Sequence, residues 1–189
     1  MYKCKLPILT ITANARKRKR RDLRDERWTR PEPRVLKVNV DASFYADDDA
    51  GSAGAVIRDF EGRLVAACCV MLPHVSSVAM AEAHGMKELL TLAERLGCNR
   101  IIAESDSSET IEAFTGEQRW WNESAAIYAE CIDKITNIGE VSFKLCPREA
   151  NQVAHELARY SYSNKISCNW DDDPPSCLLD RLLNDVTIE

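Results

Sequence analysis

Between residues 77 and 97, Glu82, Met86, Leu89, Ala93 and Leu96 recur at steps of four, three, four and three, the spacing of one face of an α-helix. Apolar strands flank that helix on both sides. Upstream, Leu36, Val38 and Val40 alternate with polar residues across residues 35–41, the pattern of a half-buried strand ending at Asp41. Downstream, residues 100–106 form a second apolar strand that ends at Asp106. A strand that follows a helix most simply joins an earlier strand in parallel, through a right-handed crossover. Asp41 and Asp106 then lie at the same edge of one sheet, and Glu82, on the oily stripe, points towards that sheet. Ligands of open α/β sheets bind beyond the carboxyl ends of the parallel strands, which aims both aspartates at one crevice. Like charges so close repel, and a divalent cation resolves the conflict. Singly, each acid has an ordinary explanation, as a turn residue after a strand or as an acid favoured by a helix dipole. The joint placement is what points to metal.

The remaining pattern extends this unit on both sides. Residues 50–59 and 64–72 are apolar stretches joined by a short turn containing Gly62, which predicts an antiparallel hairpin. Helices are expected at 107–114 and 123–135, a strand at 141–146 and a final helix at about 148–162. The predicted order is βββαβααβα. This is an α/β fold with a five-stranded mixed sheet, three antiparallel strands then two parallel ones, and helices on both faces. In the last helix Ala150, Val153, Ala154, Leu157 and Ala158 form the buried stripe, while Asn151 and His155 share a different face.

This order resembles the ribonuclease H family, and most closely its plant branch of retroelement-type, reverse-transcriptase-associated domains. Five stretches carry the resemblance: Val38-Asn39-Val40-Asp41-Ala42-Ser43, Gly54-Ala55-Val56-Ile57-Arg58-Asp59 with Gly62, Ala81-Glu82-Ala83, Glu104-Ser105-Asp106-Ser107, and Pro147 through His155. It spans residues 34–164. The tail, with Pro174-Pro175 ahead of Leu178, Leu179, Leu182 and Leu183, also looks like that branch's ending.

The resemblance implies hydrolysis of the RNA strand of an RNA–DNA hybrid, leaving a 5′-phosphate and a 3′-hydroxyl, by a two-magnesium mechanism. It gives Asp41 the place of the carboxylate that bridges both metals, with Glu82 and Asp106 completing the shell. Oxygen ligands of this kind are what hard magnesium selects. The family's fourth carboxylate position is occupied here by His155. An imidazole removes a negative charge and is a softer ligand, one that admits manganese, positions a water or accepts a proton. The histidine that cellular members carry in the preceding loop is absent from residues 140–151. Family members tell RNA from DNA through 2′-hydroxyls, and Ser43, Ser105, Ser107 and Asn151 are positioned to read them. A second reading is a catalytically silent, domesticated relative that binds nucleic acid or a protein partner.

Charge divides the chain into an arm and a body. Residues 1–30 hold eleven Lys and Arg against three acids, or +8; the rest holds fourteen against twenty-seven, or −13, which together give the net −5. The run Arg16-Lys17-Arg18-Lys19-Arg20-Arg21 reads as a nuclear address, or else as a nucleic-acid contact. Without that address the cytoplasm is the expected location. We expect a disordered arm over 1–33, an RNase H-like domain over 34–164 and a tail with a short Leu-rich helix over 165–189. Asp47-Asp48-Asp49 follows Asp41 closely enough to repel a hybrid backbone unless it turns away. No apolar run is long enough to span a bilayer, and residues 6–12 are too short for a secretion signal, so no membrane partner is expected. The eight cysteines show no C-x-x-C pair, which suggests free thiols, with Cys168–Cys177 the one pairing that would close a loop. With no polymerase-type segment read ahead of the domain, a full reverse transcriptase is not expected.

Overall fold

The computed structural model describes residues 27–116, 123–171 and 173–186, so the basic run at 16–21 lies outside the described residues. Strands β1 (Leu36–Tyr45), β2 (Ala50–Arg58) and β3 (Leu64–Pro73) are followed by helix α1 (Val78–Arg95) and strand β4 (Arg100–Ser105). Then come α2 (Ser108–Thr115), α3 (Ala125–Ile138), β5 (Glu140–Leu145), α4 (Gln152–Asn164), β6 (Cys168–Asp171) and α5 (Leu179–Val186). The sheet order is β5-β4-β1-β2-β3-β6. β1 pairs in parallel with β4 and antiparallel with β2, as the crossover and hairpin signals predict.

Two features differ from the sequence expectation. The sheet has six strands, not five, because β6 pairs antiparallel with the outer edge of β3, from Ala66↔Asp171 to Cys69↔Cys168. Four residues, Cys-Asn-Trp-Asp, carry too little alternation to announce a strand; the open backbone edge of β3 supplies the partner. Asp41 also does not end its strand. β1 continues to Tyr45, paired with β2 throughout, whereas its ladder with β4 stops at Asn39↔Glu104. Asp41 therefore sits where β4 has let go.

Both faces of the sheet are covered. Val38, Val40, Ala55 and Ile57 pack against Met86, Leu89 and Leu90 of α1, with Cys131 and Ile135 of α3 in the same core. Each buried Val, Ile, Leu or Met side chain here stabilises by about 1.5–3 kcal/mol when removed from water. The opposite face sets Val56, Ala67 and Cys69 against Val153 and Leu157 of α4. Ser77 caps α1, its Oγ accepting from the Met80 amide at 3.2 Å. Cys168 carries a free thiol, and the side chain of Cys177 lies outside the described residues.

The polar alternates of β1 are buried as well. Asn39 and Arg58 are almost wholly enclosed. Arg58 lies 3.8 Å over the Trp28 ring, donates from Nη1 to Asp185 Oδ2 at 2.6 Å, and shares Asn39 Oδ1 with Trp28 Nε1. Asn39 Nδ2 donates to Glu104, which also pairs with Lys37 at 3.0 Å. Breaking a buried ion pair typically costs about 3–5 kcal/mol, so this network pins the segment at Trp28 and helix α5 to the same strand pair.

Helix α4 approaches β2 at Gly54. A Cβ there would stand 2.5 Å from Leu157 Cβ and from the Ala158 nitrogen, and closer still to the Ala154 carbonyl oxygen. Two of these are backbone atoms and the third is a Cβ fixed to the backbone, so none can swing aside. In an ordinary strand Gly→Ala gains stability. Here Gly54→Ala is expected to cost about 1–3 kcal/mol through overpacking, measured as a fall in melting temperature; an unchanged or higher value would show that α4 can slide outward freely.

Candidate active site

The elements around Asp41 form a cleft of about 430 Å³ lined by Asp41, Ser43, Glu82, Asp106, Asn151 and His155, among others. Each side chain is delivered by a different element. Strand alternation turns Asp41 towards α4, since Val38 and Val40 face α1. His155, one helical turn into α4, meets it: Nδ1 lies 2.9 Å from Asp41 Oδ2. Glu82, in the first turns of α1, is buried beside them, and Asp106 follows the last residue of β4. Asn151 clamps the two strands, donating from Nδ2 to the Val40 carbonyl at 2.9 Å and to Asp106 Oδ1 at 3.0 Å. Those two acceptors fix the amide's orientation and leave Asn151 Oδ1 buried with no partner.

The structure thus brings all four sequence-predicted chemical residues to one place, together with Ser43 and Asn151. Ser105 and Ser107 are occupied differently. Ser105 is fully buried and its Oγ accepts from the Ser107 amide at 3.1 Å, while Ser107 Oγ accepts from the Thr110 amide as the cap of α2. Sequence reading did not single out Arg148, Gln152 or Val78, which also line the cleft. Arg148 Nε stands 3.3 Å from Asp106 Oδ2, with the side chain 85% exposed. The available signal was a cation placed just ahead of the helix that carries Asn151 and His155.

Electrostatics in the cleft are those of crowded acids. Burial pushes Asp41 up to about 6, against the lowering hydrogen bond from His155, and the Asp106 charge raises it further. Glu82 rises to about 8, chiefly by burial and then by the charges of Asp41 and Asp106. Its Oε2 is buried without any hydrogen-bond partner. Among the described residues no three carboxylate, imidazole or thiol groups are gathered tightly enough to hold an ion as they stand. His155 holds Asp41 Oδ2, while Asn151 and Arg148 hold the two oxygens of Asp106. The donor set nonetheless fits a hard divalent cation: it is rich in oxygen, carries an orphaned carboxylate oxygen, and holds carboxyls that burial and neighbouring acids raise.

With α1 and α4 on opposite faces of a mixed sheet, one acid on β1 where it parts from β4 and another just past the end of β4, the fold is that of ribonuclease H. A family model described as reverse transcriptase-like matches residues 39–161, and the chain belongs to that family. Solved structures share the fold. The N-terminal RNase H domain of a Mycobacterium tuberculosis protein superposes with a TM-score of 0.64 at 17% identity, covering 69% of this chain and 94% of that one. RNase H1 from Halobacterium salinarum gives 0.64 at 18%, covering 69% and 98%. LC11-RNase H1, solved in complex with an RNA/DNA hybrid, gives 0.63 at 15%, covering 69% and 98%. A comparison with curated proteins finds no sequence match.

The raised carboxyls fix a stability signature. Both groups have folded values above their ordinary 3.8 and 4.5, so the folded protein holds protons that the unfolded chain releases. Their stability is complete at low pH and is lost as pH rises through about 6 and then about 8. In chelator, the melting temperature is expected to fall between about pH 5 and about pH 8, and Glu82→Gln should remove the larger part of that fall. Magnesium or manganese should restore it in the unaltered chain but not in Asp41→Asn. A melting temperature indifferent to Glu82→Gln across this range would refute the crowded-acid account.

Proposed function

We propose that the chain is a divalent-metal-dependent endoribonuclease that hydrolyses the RNA strand of RNA–DNA hybrids. The observation that carries the reading is the convergence of Asp41, Glu82 and Asp106 on one cleft, where burial and mutual repulsion leave Glu82 with an unpartnered carboxylate oxygen. Asp41, Glu82 and Asp106 would hold the cations. Divalent ions, when bound, supply Lewis acidity and charge neutralisation for phosphodiester hydrolysis.

The chain's own residues divide the remaining work. Asn151 fixes Asp106 relative to β1 through its two donated hydrogen bonds. His155 does not replace a carboxylate in kind. With Asp41 ionised, Nδ1 carries the proton donated to Oδ2, which leaves Nε2 as the ring's acceptor on a side chain 44% exposed. That nitrogen can take a proton from an attacking water. Ser43, at the cleft wall, is the better placed of the serines to meet a 2′-hydroxyl, since Ser105 and Ser107 are bound locally.

Cleavage of an end-labelled hybrid is expected in manganese above magnesium, because the imidazole is a softer neighbour than a carboxylate. Asp41→Asn should abolish it. His155→Asp should raise magnesium-supported cleavage about tenfold or more, within the range general acid–base and metal-shell changes span; no gain would mean that this position does not limit the reaction. The His155–Asp41 contact also favours a second reading, because it closes one oxygen of the central acid to cations. On that reading the domain is a silent relative that binds nucleic acid, and neither metal supports cleavage. We assign the basic run at 16–21 to nuclear import; a reporter fusion carrying residues 1–33 that stays cytoplasmic would remove that assignment.

A further inference from the structure

We infer that Arg148 is the phosphate grip of the cleft, its guanidinium leaving Asp106 to hold a backbone phosphate of the nucleic-acid strand that lies over the carboxylates. The inference rests on the nuclease reading above and deepens it by naming the residue that receives the substrate's charge. Among the described residues Arg148 is the one lysine or arginine lining the cleft. A strand of phosphates brought to three acids needs a cation there, and the body of the chain beyond residue 30 supplies few, with fourteen basic residues against twenty-seven acidic ones. Neighbouring cations on α4 and just beyond it are engaged elsewhere: Arg159 with Glu156, and Lys165 with Asp48 and the Tyr162 ring.

Geometry separates a fixed base from a free arm. The Arg148 backbone is held in a tight turn: its carbonyl accepts from the Asn151 amide at 3.0 Å and from Gln152 Nε2 at 3.0 Å. Its side chain, by contrast, is 85% exposed and meets Asp106 through Nε, at 3.3 Å. That separation is long for a charge-assisted bond, which settles at about 2.7–2.9 Å. An exposed ion pair of this kind is worth little and is given up readily. Among the described residues its terminal nitrogens donate no hydrogen bond, so the planar fork remains available for a bidentate phosphate contact, a geometry that lysine cannot supply. Asp106 holds the arm at the cleft mouth until a cation and a phosphate arrive to take the two partners separately.

The test is binding of a fluorescently labelled RNA–DNA hybrid to the otherwise unaltered chain over a series of salt concentrations, in calcium, which oxygen donors hold in a looser geometry than magnesium's, with the RNA strand checked for integrity after each titration. Adding Arg148→Ala should weaken binding about tenfold at low salt and reduce the slope of log Kd against log salt by about 1, the loss of one phosphate contact. Arg148→Lys should keep the slope while binding more weakly, because charge survives and the fork does not. Arg63→Ala, on the β2–β3 turn at the opposite end of the sheet, should change neither. A slope identical with and without Arg148 would overturn the inference while leaving the nuclease reading intact. Failure of the parent carrying Arg148 to bind hybrid at any salt would overturn both.

Discussion

Helix α4 rests on the backbone of β2 with only a glycine's hydrogen between them, and the cleft owes its geometry to that closeness. Gly54 is the cross-strand partner of Asp41, and the helix atoms it would strike belong to Ala154, Leu157 and Ala158. His155 lies inside that same turn. A side chain at residue 54 would lift the helix by the thickness of a methyl group, and the 2.9 Å contact between His155 and Asp41 would open with it. Asn151 closes the other side of the cleft by joining the Val40 carbonyl to Asp106, so its position also depends on where α4 begins. The same approach lets Val153 and Leu157 reach Val56 and Cys69. Packing and chemistry are therefore fixed by one contact.

Given that frame, the cleft is an electrostatic problem with two solutions. Three acids converge where water is scarce, and each unit of pKa displacement represents about 1.4 kcal/mol between protonation states. With Glu82 raised to about 8 and Asp41 to about 6, the metal-free cleft at neutral pH keeps a proton on the glutamate while the aspartate has mostly lost its own. A divalent cation would be the second solution, held once Glu82 gives up its proton. Affinity for cations would then rise with pH, in the sense opposite to the stability of the empty fold. His155 shifts the balance at Asp41 alone, through a hydrogen bond that a carboxylate at that position would not make.

Most of this was legible in the sequence wherever a residue's role follows from local pattern. Helical spacing placed Glu82 towards the sheet, strand order placed Asp41 and Asp106 at one edge, and the face shared by Asn151 and His155 put both in the cleft. What was not legible depends on tertiary pairing. β6 has too few residues to show a period and exists because the edge of β3 offers partners. The polar alternates of β1 suggested a half-solvated strand, yet Asn39 and Lys37 are buried among Arg58, Glu104 and Trp28, which lie far apart in the chain. Sequence spacing cannot announce such a network. Ser105 and Ser107 match the motif in position, but capping geometry turns their hydroxyls onto α2 and its lead-in.

An acidic body remains an awkward host for a phosphate backbone, and the geometry decides how far the difficulty extends. The Asp47-Asp48-Asp49 run is drawn onto the end of α4. Asp48 Oδ2 accepts from the Tyr162 hydroxyl at 2.5 Å and faces Lys165, while Tyr45 and Tyr162 stack with ring centroids 3.3 Å apart. The Tyr162 hydrogen bond, followed by Lys165, holds the Asp48 carboxyl below its ordinary value, so it stays charged. Its distance matters more than its sign. Tyr45 is four strand residues beyond Asp41, about 13 Å at the usual rise per residue, and the aspartates lie past it. The screening length at physiological salt is about 8 Å. Repulsion from the run is therefore largely damped at the cleft, where the nearer groups decide: the acids themselves and, among the described residues, the exposed guanidinium of Arg148. Net charge would discourage a hybrid approaching from afar, but the choice between repelling and holding a phosphate is made within one screening length of Asp41.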